Sequence, residues 1–240
     1  MRRTYILPNI FTTGNMFFGF YSIISSLKGD FERAAWAVLI AMLFDVLDGS
    51  VARFTKTTSE FGMQYDSLCD LVSFGVAPAI LAYQWLLHSL GRIGWLTAFL
   101  FVACGALRLA RFNVMARNGS SKNFTGFPIP AAAGLISTYY LFASDRMISL
   151  AGKGVMFTLV LLMIAASLLM VSRFNYFAVK GTVSKRQSYT IVLASILGTY
   201  VVASEPKLFL FLGFVCYFLS GPVMSLSHLF RESVSEELEG

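Results

Sequence analysis

Charged residues and the side chains that usually bind transition metals are scarce in this 240-residue chain. Asp, Glu, Lys and Arg make up 13% of it, against 56% hydrophobic residues. A soluble protein would carry roughly twice that charged fraction, so the composition argues against an ordinary soluble domain. The two histidines, His88 and His228, and the three cysteines, Cys69, Cys104 and Cys216, are isolated. Their placement excludes HExxH and CxxC metal sites and argues against a disulfide framework.

Several other functional motifs are missing. The chain has no Walker loop, no EF-hand spacing of acidic residues and no Ser-His-Asp arrangement. It also has no spaced basic and aromatic module for nucleic-acid bases, so its net charge of +6 does not indicate a nucleic-acid partner. That charge is better explained by membrane topology and by attraction to anionic lipid headgroups.

What the chain has in abundance is long apolar runs, each near the ~20 residues that cross a bilayer. They predict an all-α, polytopic integral membrane protein of eight helices. The seventh run is short and contains Gly198, which leaves a count of six or seven helices open. Pro8 and Asn9 interrupt the first run, so it is interpreted as a retained helix and not a signal peptide. The runs lie near 5–27, 34–53, 67–87, 93–112, 129–149, 154–172, 188–204 and 207–229.

The basic residues predict the orientation, because cytoplasmic loops carry an excess of Lys and Arg. Thirteen of the 19 basic residues fall on one side of the eight predicted spans. This places both termini and the functional site described next at the cytoplasmic face of the cell (inner) membrane. The thirteen are Arg2, Arg3, Arg53, Lys56, Arg108, Arg111, Arg117, Lys122, Arg173, Lys180, Lys185, Arg186 and Arg231, and the other six are Lys28, Arg33, Arg92, Arg146, Lys153 and Lys207.

Four carboxylates, Asp45, Asp48, Asp66 and Asp70, lie within or beside apolar runs. A charge in the membrane costs at least ~2.5–3.5 kcal/mol and is a functional-site hypothesis by default. Asp45 and Asp48 are three residues apart and Asp66 and Asp70 four apart, so on helices each pair shares a face. Two such helix ends joined by a short turn form a cup of oxygen ligands, which suits Mg²⁺ or Mn²⁺.

Small residues follow the first acidic pair. Gly49 and Ala52 lie on the same helical face as the acids, where a ligand can approach the backbone, and Arg53 is placed to meet a phosphate. Small residues at this spacing also serve helix packing in membranes. Beside four acids and an arginine, the ligand-binding interpretation is favoured.

The full spacing, D-x-x-D-G-x-x-A-R, eight residues, then G-x-x-x-D-x-x-x-D, resembles the signature of the CDP-alcohol phosphotransferase family. The resemblance implies a membrane enzyme with a six-helix core, commonly a homodimer, which joins a phosphoryl group from a CDP-linked donor to an alcohol and releases CMP. It implies two divalent ions held by the four acids, with Asp70 also acting as general base. A nucleotide site is implied at Gly49, Ala52 and Gly62, with Arg53 nearby. The polar residues Asn9, Thr12 and Asn15 of the first run either line this pocket or bond across helices.

Further segments resemble the phosphatidylserine synthase branch of that family. They include LPNIFT at 7–12, DLVSFGVAP at 70–78, RLARFN at 108–113 and FTGFPIPAA at 124–132. The implied substrates are CDP-diacylglycerol and L-serine. A serine pocket needs a cation for the carboxylate, which Arg108 and Arg111 can supply together, and short polar groups such as Ser73 and Asn113. Membrane anchoring is the competing explanation for the two arginines.

Two alternatives stay open at this point. The same chemistry with another acceptor, glycerol-3-phosphate or an inositol phosphate, needs a denser basic pocket. A divalent-cation transporter would instead have acids distributed across the depth of the membrane. We divide the chain into a six-helix core at 1–172, a cytoplasmic loop at 173–187, two additional transmembrane helices at 188–229 and a polar tail at 230–240.

Overall fold

A computed structural model describes residues 6–55, 59–117, 126–146, 152–172, 174, 198 and 203–239. Side chains are described in these ranges except at 6–9, 52–55, 116–117 and 226–239. Every regular element in the described part of the chain is a helix, which confirms the all-α prediction. The helices are α1 (Ile6–Leu27), α2 (Phe31–Thr55), α3 (Glu60–Trp85), α4 (Arg92–Arg117), α5 (Ile129–Asp145), α6 (Lys153–Val171) and α7 (Pro206–Glu239).

The molecule is a polytopic membrane protein. Segments of α2, α3, α4, α6 and α7 are each long and apolar enough to cross a membrane. α5 is shorter, at 17 residues, and most of its side chains are buried inside the bundle. α1 carries a row of polar side chains that are also buried, so this helix turns its polar face inward: Thr12, Asn15, Ser22, Ser25 and Ser26.

The helices differ from the predicted runs mainly at their ends. α3 begins at Glu60, well before the predicted run at 67, because the Ser59 hydroxyl caps the helix by accepting the Gly62 N–H at 2.9 Å. α7 continues to Glu239, through the segment predicted to be a separate polar tail. The run at 188–204 lies outside the described residues apart from 198, 203 and 204, so the count of eight helices stays a prediction.

α1 is packed tightly between α2 and α3. A tight turn with Gly29 at a φ of 78° reverses the chain between α1 and α2. Further along α1, Gly14 lies against the ring of Phe44 on α2, and a Cβ on Gly19 would collide with Ser73 on α3. These close approaches bring the polar face of α1 against the acidic ends of α2 and α3.

α3 contains one wide turn. A π-helical segment, Leu71–Val76, interrupts the α-helical hydrogen bonding directly after Asp70. Such segments change the facing of the residues that follow them and are frequent at functional sites. Ser73, Phe74 and Gly75 in this segment are buried, so the wide turn lies inside the bundle beside the last acid of the motif.

Exposed ion pairs gather at the other end of the bundle. Lys207 on α7 contacts Glu32 at 2.8 Å, and Arg146 contacts Glu205 at 3.1 Å. Glu32 lies in the first turn of α2 and Asp48 sixteen residues later, which is about 24 Å along a helix. The acids of the motif and these ion pairs therefore occupy opposite ends.

Candidate active site

Three of the predicted metal ligands converge where α2 ends and α3 begins. One carboxylate oxygen from each of Asp45, Asp66 and Asp70 lies within 4.8 Å of the other two. Asp48 lies one turn after Asp45 and is close enough to Asp45 and Asp66 for their charges to interact. The predicted cup of oxygen atoms from two helices is therefore present in the structure.

The oxygen atoms of this cluster fit a hard divalent cation. Asp48 Oδ1 and Asp66 Oδ1 are buried, and among the described residues neither has a hydrogen-bond partner. A buried carboxylate oxygen without a partner carries a high desolvation cost, which a bound cation offsets. Ligand sets made only of oxygen atoms are those that Mg²⁺ and Mn²⁺ prefer. The chemistry of the donors thus agrees with the ion predicted from the sequence.

Two side chains of α1 orient the acids. The Thr12 hydroxyl donates a hydrogen bond to Asp48 Oδ2. The Asn15 amide Nδ2 donates to Asp70 Oδ1 at 2.9 Å. Asn15 is itself held, because its backbone carbonyl accepts the Ser73 hydroxyl at 3.0 Å. A carboxylate fixed in this way presents a defined oxygen to the centre of the cluster.

The sequence places Asn15 three residues after Thr12 on the same helical face, and leaves open whether the two line the nucleotide pocket or bond across helices. In the structure both bond across helices, to Asp70 and Asp48. Which acid each side chain contacts depends on how α1 crosses α2 and α3. The crossing is set by tertiary packing that a single sequence does not reveal.

Among the described side chains, Arg108 is a basic one that lies close to the cluster. It is half-buried on α4 and lies near enough to Asp70 for their opposite charges to interact. Arg111, one turn later, is exposed, and its Nη1 donates to the Val171 carbonyl at 3.5 Å. The two arginines predicted to act together therefore occupy different surroundings.

The other two residues of the predicted serine pocket are engaged in helix contacts. The Asn113 amide donates to the Ser67 hydroxyl at 3.0 Å and to Gln64 Oε1 at 3.3 Å, which ties α4 to α3. Ser73 is fully buried and donates to Asn15. Both lie beside the acids of α3, and their predicted contact with serine stays a prediction.

The predicted nucleotide residues are only partly described. Gly49 is exposed beside Asp48, and a Cβ on it would meet no described atom within 4 Å, so the space there is open. Gly62 lies in the first turn of α3. The side chains of Asn9, Ala52 and Arg53 lie outside the described residues. Their roles stay predictions.

Comparison of the sequence with known protein families identifies the family of this chain. A model of the CDP-alcohol phosphatidyltransferase family matches residues 5–171, which include all four acids and both helices that carry them. The chain belongs to this family. The match ends at the last residue of α6, so α7 lies beyond it.

The chain is also similar to individual proteins from several organisms. A CDP-diacylglycerol–serine O-phosphatidyltransferase of Helicobacter pylori (strain 26695) is 46% identical over 132 residues, 55% of this chain and 56% of the relative. An archaetidylserine synthase of Methanothermobacter thermautotrophicus is 44% identical over 177 residues, 73% of this chain and 71% of the relative. A CDP-diacylglycerol–serine O-phosphatidyltransferase of Bacillus subtilis is 39% identical over 126 residues, 52% of this chain and 70% of the relative. The chain thus spans little more than half the length of the Helicobacter relative.

Proposed function

We propose that this protein transfers the phosphatidyl group of CDP-diacylglycerol to the hydroxyl of L-serine, giving phosphatidylserine and CMP. The observation that carries the proposal is the convergence of Asp45, Asp66 and Asp70 beside Arg108. The acids suit a diphosphate with its metal ions, and the guanidinium suits the carboxylate of an amino-acid acceptor. Relatives named for this reaction support the choice of serine.

In this proposal, Asp45, Asp48, Asp66 and Asp70 hold Mg²⁺ or Mn²⁺, with two ions bound. A divalent ion bound there supplies neutralisation of the diphosphate and stabilises the charge that develops on the departing CMP. The protein itself orients the carboxylates that bind the ion. Thr12 fixes Asp48, and Asn15 fixes Asp70.

Asp70 acts as the general base. The serine hydroxyl oxygen attacks the phosphorus that carries diacylglycerol, its proton passes to the Asp70 carboxylate, and the phosphoanhydride bond to CMP breaks. CMP leaves with the bridging oxygen. Asp70 is buried and its Oδ1 accepts the Asn15 amide, so its orientation is set before the substrate binds. Direct attack needs no further nucleophile from the protein.

The two substrates are assigned to different parts of the cluster. The open space at Gly49 among the described residues supports the nucleotide at the end of α2. Asn9, Thr12, Ala52, Arg53 and Gly62 are the remaining residues predicted for this site. Arg108 lies on the α4 side of Asp70, which supports serine there, with Arg111, Ser73 and Asn113 as the predicted remainder of the pocket. An attacking hydroxyl on this side lies next to the proposed base.

We further propose that the site and both termini face the cytoplasm of the cell membrane and that the protein is a homodimer. The charge asymmetry of the sequence supports the orientation, and the family resemblance supports the dimer. A site at the membrane boundary lets a lipid donor meet a water-soluble acceptor. Clustering of the acids at one end of the bundle also argues against a cation pathway across the membrane.

CMP release by the purified full-length protein tests the proposal. Separate reactions contain CDP-diacylglycerol, Mg²⁺ or Mn²⁺, and L-serine, glycerol-3-phosphate or an inositol phosphate, with EDTA as the control. We expect CMP to appear with L-serine and metal, and to be lost with EDTA. Release with a different acceptor alone would overturn the serine assignment and keep the role of the acids. Absence of release with every acceptor would overturn the proposed chemistry.

A further inference from the structure

Tyr65 on α3 and Thr13 on α1 share a hydrogen bond, with 3.0 Å between their hydroxyl oxygens. Tyr65 directly precedes Asp66 in the chain, and Thr13 directly follows Thr12. Neither Tyr65 nor Thr13 is a fixed position of the acidic motif. The bond therefore joins two helices beside the acidic cluster without belonging to the acids that form it.

The ring of Tyr65 is held as well as its hydroxyl. It lies parallel to the ring of Phe61, one turn earlier on α3, with 6.1 Å between centroids and 8° between planes. Phe61 is 71% exposed, so this pair of rings lies at the outer surface of α3. From there the Tyr65 hydroxyl reaches across to α1. Hydrogen bonds between polar side chains of neighbouring helices commonly fix helix pairs in membranes.

Two neighbouring threonines of α1 thus bond to different helices. Thr12 donates to Asp48 on α2, and Thr13 bonds to Tyr65 on α3. Because the threonines are adjacent in the chain, both bonds meet within a single turn of α1. The α2 side and the α3 side of the acidic cluster are therefore held in register against the same turn of α1.

The part of α3 that carries the acids is tied to α1 near both of its ends. Tyr65 bonds to Thr13, and Asp70 Oδ1 accepts the Asn15 amide at 2.9 Å. The two ties are five residues apart on α3, which is about 7.5 Å along a helix, and Asp66 lies between them. A single tie would let this segment pivot against α1, and the second tie prevents that movement.

We propose that Tyr65 is a positioning residue for the metal ion: through its bond to Thr13 it holds Asp66 in register with the acids of α2. The inference rests on the ion assignment within the proposed function and adds a residue outside the acidic motif. Mg²⁺ demands near-octahedral oxygen ligands at about 2.0–2.1 Å, so the separation of the two acidic helices decides ion affinity. The role of Tyr65 is independent of the acceptor alcohol.

Mn²⁺ binding by the full-length Tyr65→Phe variant in detergent, without substrates, tests this inference. The substitution removes the hydroxyl and keeps the ring beside Phe61. The EPR signal of free Mn²⁺ gives the apparent Kd, and Asp66→Asn gives the background of binding outside the cluster. We expect the Kd to rise by about fivefold, less than the roughly tenfold or more that loss of a group bonded directly to a metal ligand gives. An unchanged Kd would overturn the proposal.

Variants of Thr13 test the same bond from its other end. Thr13→Val removes the hydroxyl at nearly constant shape and should raise the Kd by the same factor as Tyr65→Phe. Thr13→Ser keeps a hydroxyl and should bind Mn²⁺ as the wild-type protein does. In the double variant Tyr65→Phe/Thr13→Val the Kd should rise no further than in either single variant. Multiplying effects would show that the two hydroxyls act independently and would overturn the coupling.

The matched control is Tyr139→Phe. The Tyr139 hydroxyl donates to the Val155 carbonyl at 3.1 Å, so this variant also loses a hydrogen bond between helices, in this case α5 and α6. Its Kd for Mn²⁺ should equal that of the wild-type protein, whatever the change in its thermal stability. A rise equal to that of Tyr65→Phe would mean that any loosening of the bundle weakens ion binding, which would overturn a specific role for Tyr65.

Measuring both Mn²⁺ binding and CMP release separates this inference from the proposed reaction. If the wild-type protein binds no Mn²⁺, the ion assignment and this inference fail together. If Tyr65→Phe shows the expected rise in Kd but the wild-type protein releases no CMP with L-serine, the proposed reaction fails and the inference stands. CMP release with L-serine together with equal Kd values in the two proteins overturns the inference alone.

Discussion

The acids of the site differ in the hydrogen-bonding and charged groups around them. Asp70 is buried, accepts the Asn15 amide and lies beside Arg108. Asp66 contributes an oxygen to the cluster, and its buried Oδ1 has no hydrogen-bond partner among the described residues. These differences support the proposed assignment of proton transfer and ion binding to Asp70, and of ion binding alone to Asp66.

The first prediction concerns Asp66→Asn. The substitution keeps the shape of the side chain and removes one negative charge from the proposed ion site, so turnover should fall to background while the protein still inserts in the membrane. CMP release and thermal unfolding in detergent measure the two effects. Asp30→Asn is the control, since Asp30 pairs with the exposed Arg33 at 3.1 Å at the other end of the bundle. Near-normal turnover in Asp66→Asn would contradict the metal assignment.

A second prediction concerns Asn15→Leu, which removes the amide that donates to Asp70. The carboxyl group of Asp70 then loses its fixed orientation, and we expect kcat to fall by about ten- to a hundredfold, as when a group that orients a ligand is lost. The KM values should change less, because Asn15 contacts the carboxyl group of Asp70 and is not assigned to either substrate. Ser22→Ala is the control on the same helix. The Ser22 hydroxyl only donates to the Ala34 carbonyl at 2.9 Å, so this change should cost about 1 kcal/mol of stability and no activity.

A third prediction separates the two arginines of α4. Arg108 lies beside Asp70, whereas Arg111 is exposed and contacts a backbone carbonyl. The KM for L-serine should therefore rise at least ten times more in Arg108→Gln than in Arg111→Gln. A tenfold ratio corresponds to about 1.4 kcal/mol, the size expected for a hydrogen bond to a charged group. The KM for CDP-diacylglycerol serves as the internal reference. Equal effects of both substitutions on both KM values would assign the arginines to structure or to the nucleotide.

At the scale of elements, α1 positions the site without supplying a predicted metal ligand. Its polar face reaches α2 through Thr12 and α3 through Asn15. This is possible because Gly14 and Gly19 let the helices approach closely. The catalytic geometry therefore depends on how three helices pack, and not only on the motif between α2 and α3.

Substitution of Gly19 tests this dependence. In Gly19→Ala the new Cβ would collide with Ser73, which holds Asn15, so α1 and α3 must move apart. We expect a loss of about 1–3 kcal/mol of stability, typical of overpacking, together with lower kcat. Unfolding in detergent and CMP release measure both. Gly213→Ala is the control, since a Cβ there meets no described atom within 4 Å, and it should lose neither stability nor activity.

The sequence predicted the elements that carry the acids, because the motif combines charge with long apolar runs. It did not predict that α3 starts at Glu60, since the capping by Ser59 precedes any apolar periodicity. Nor did it reveal the contacts of Asn15 with Asp70 or of Thr12 with Asp48. Those contacts join residues far apart in the chain, and their partners are set by helix packing that periodicity does not encode.

At the scale of the whole molecule, the two ends of the bundle differ in chemistry. One end holds the acids, Arg108 and the open space at Gly49, and the other holds exposed ion pairs such as those of Lys207 and Arg146. In the topology predicted from the sequence, the excess of basic residues falls on the side of the acids. Positive loops remain in the cytoplasm, so this asymmetry predicts which end faces which compartment.

Labelling of single cysteines tests the predicted orientation. Cys69, Cys104 and Cys216 are first replaced by alanine, and retained CMP release shows that this background folds. A cysteine is then introduced at Lys28, in the turn between α1 and α2, or at Lys122, in the predicted cytoplasmic loop. In intact cells a membrane-impermeant maleimide should label Lys28→Cys and not Lys122→Cys, and permeabilised cells should show labelling of both. The reverse pattern would place the acids outside the cytoplasm, away from a nucleotide-linked donor, and would contradict the proposed location of the reaction.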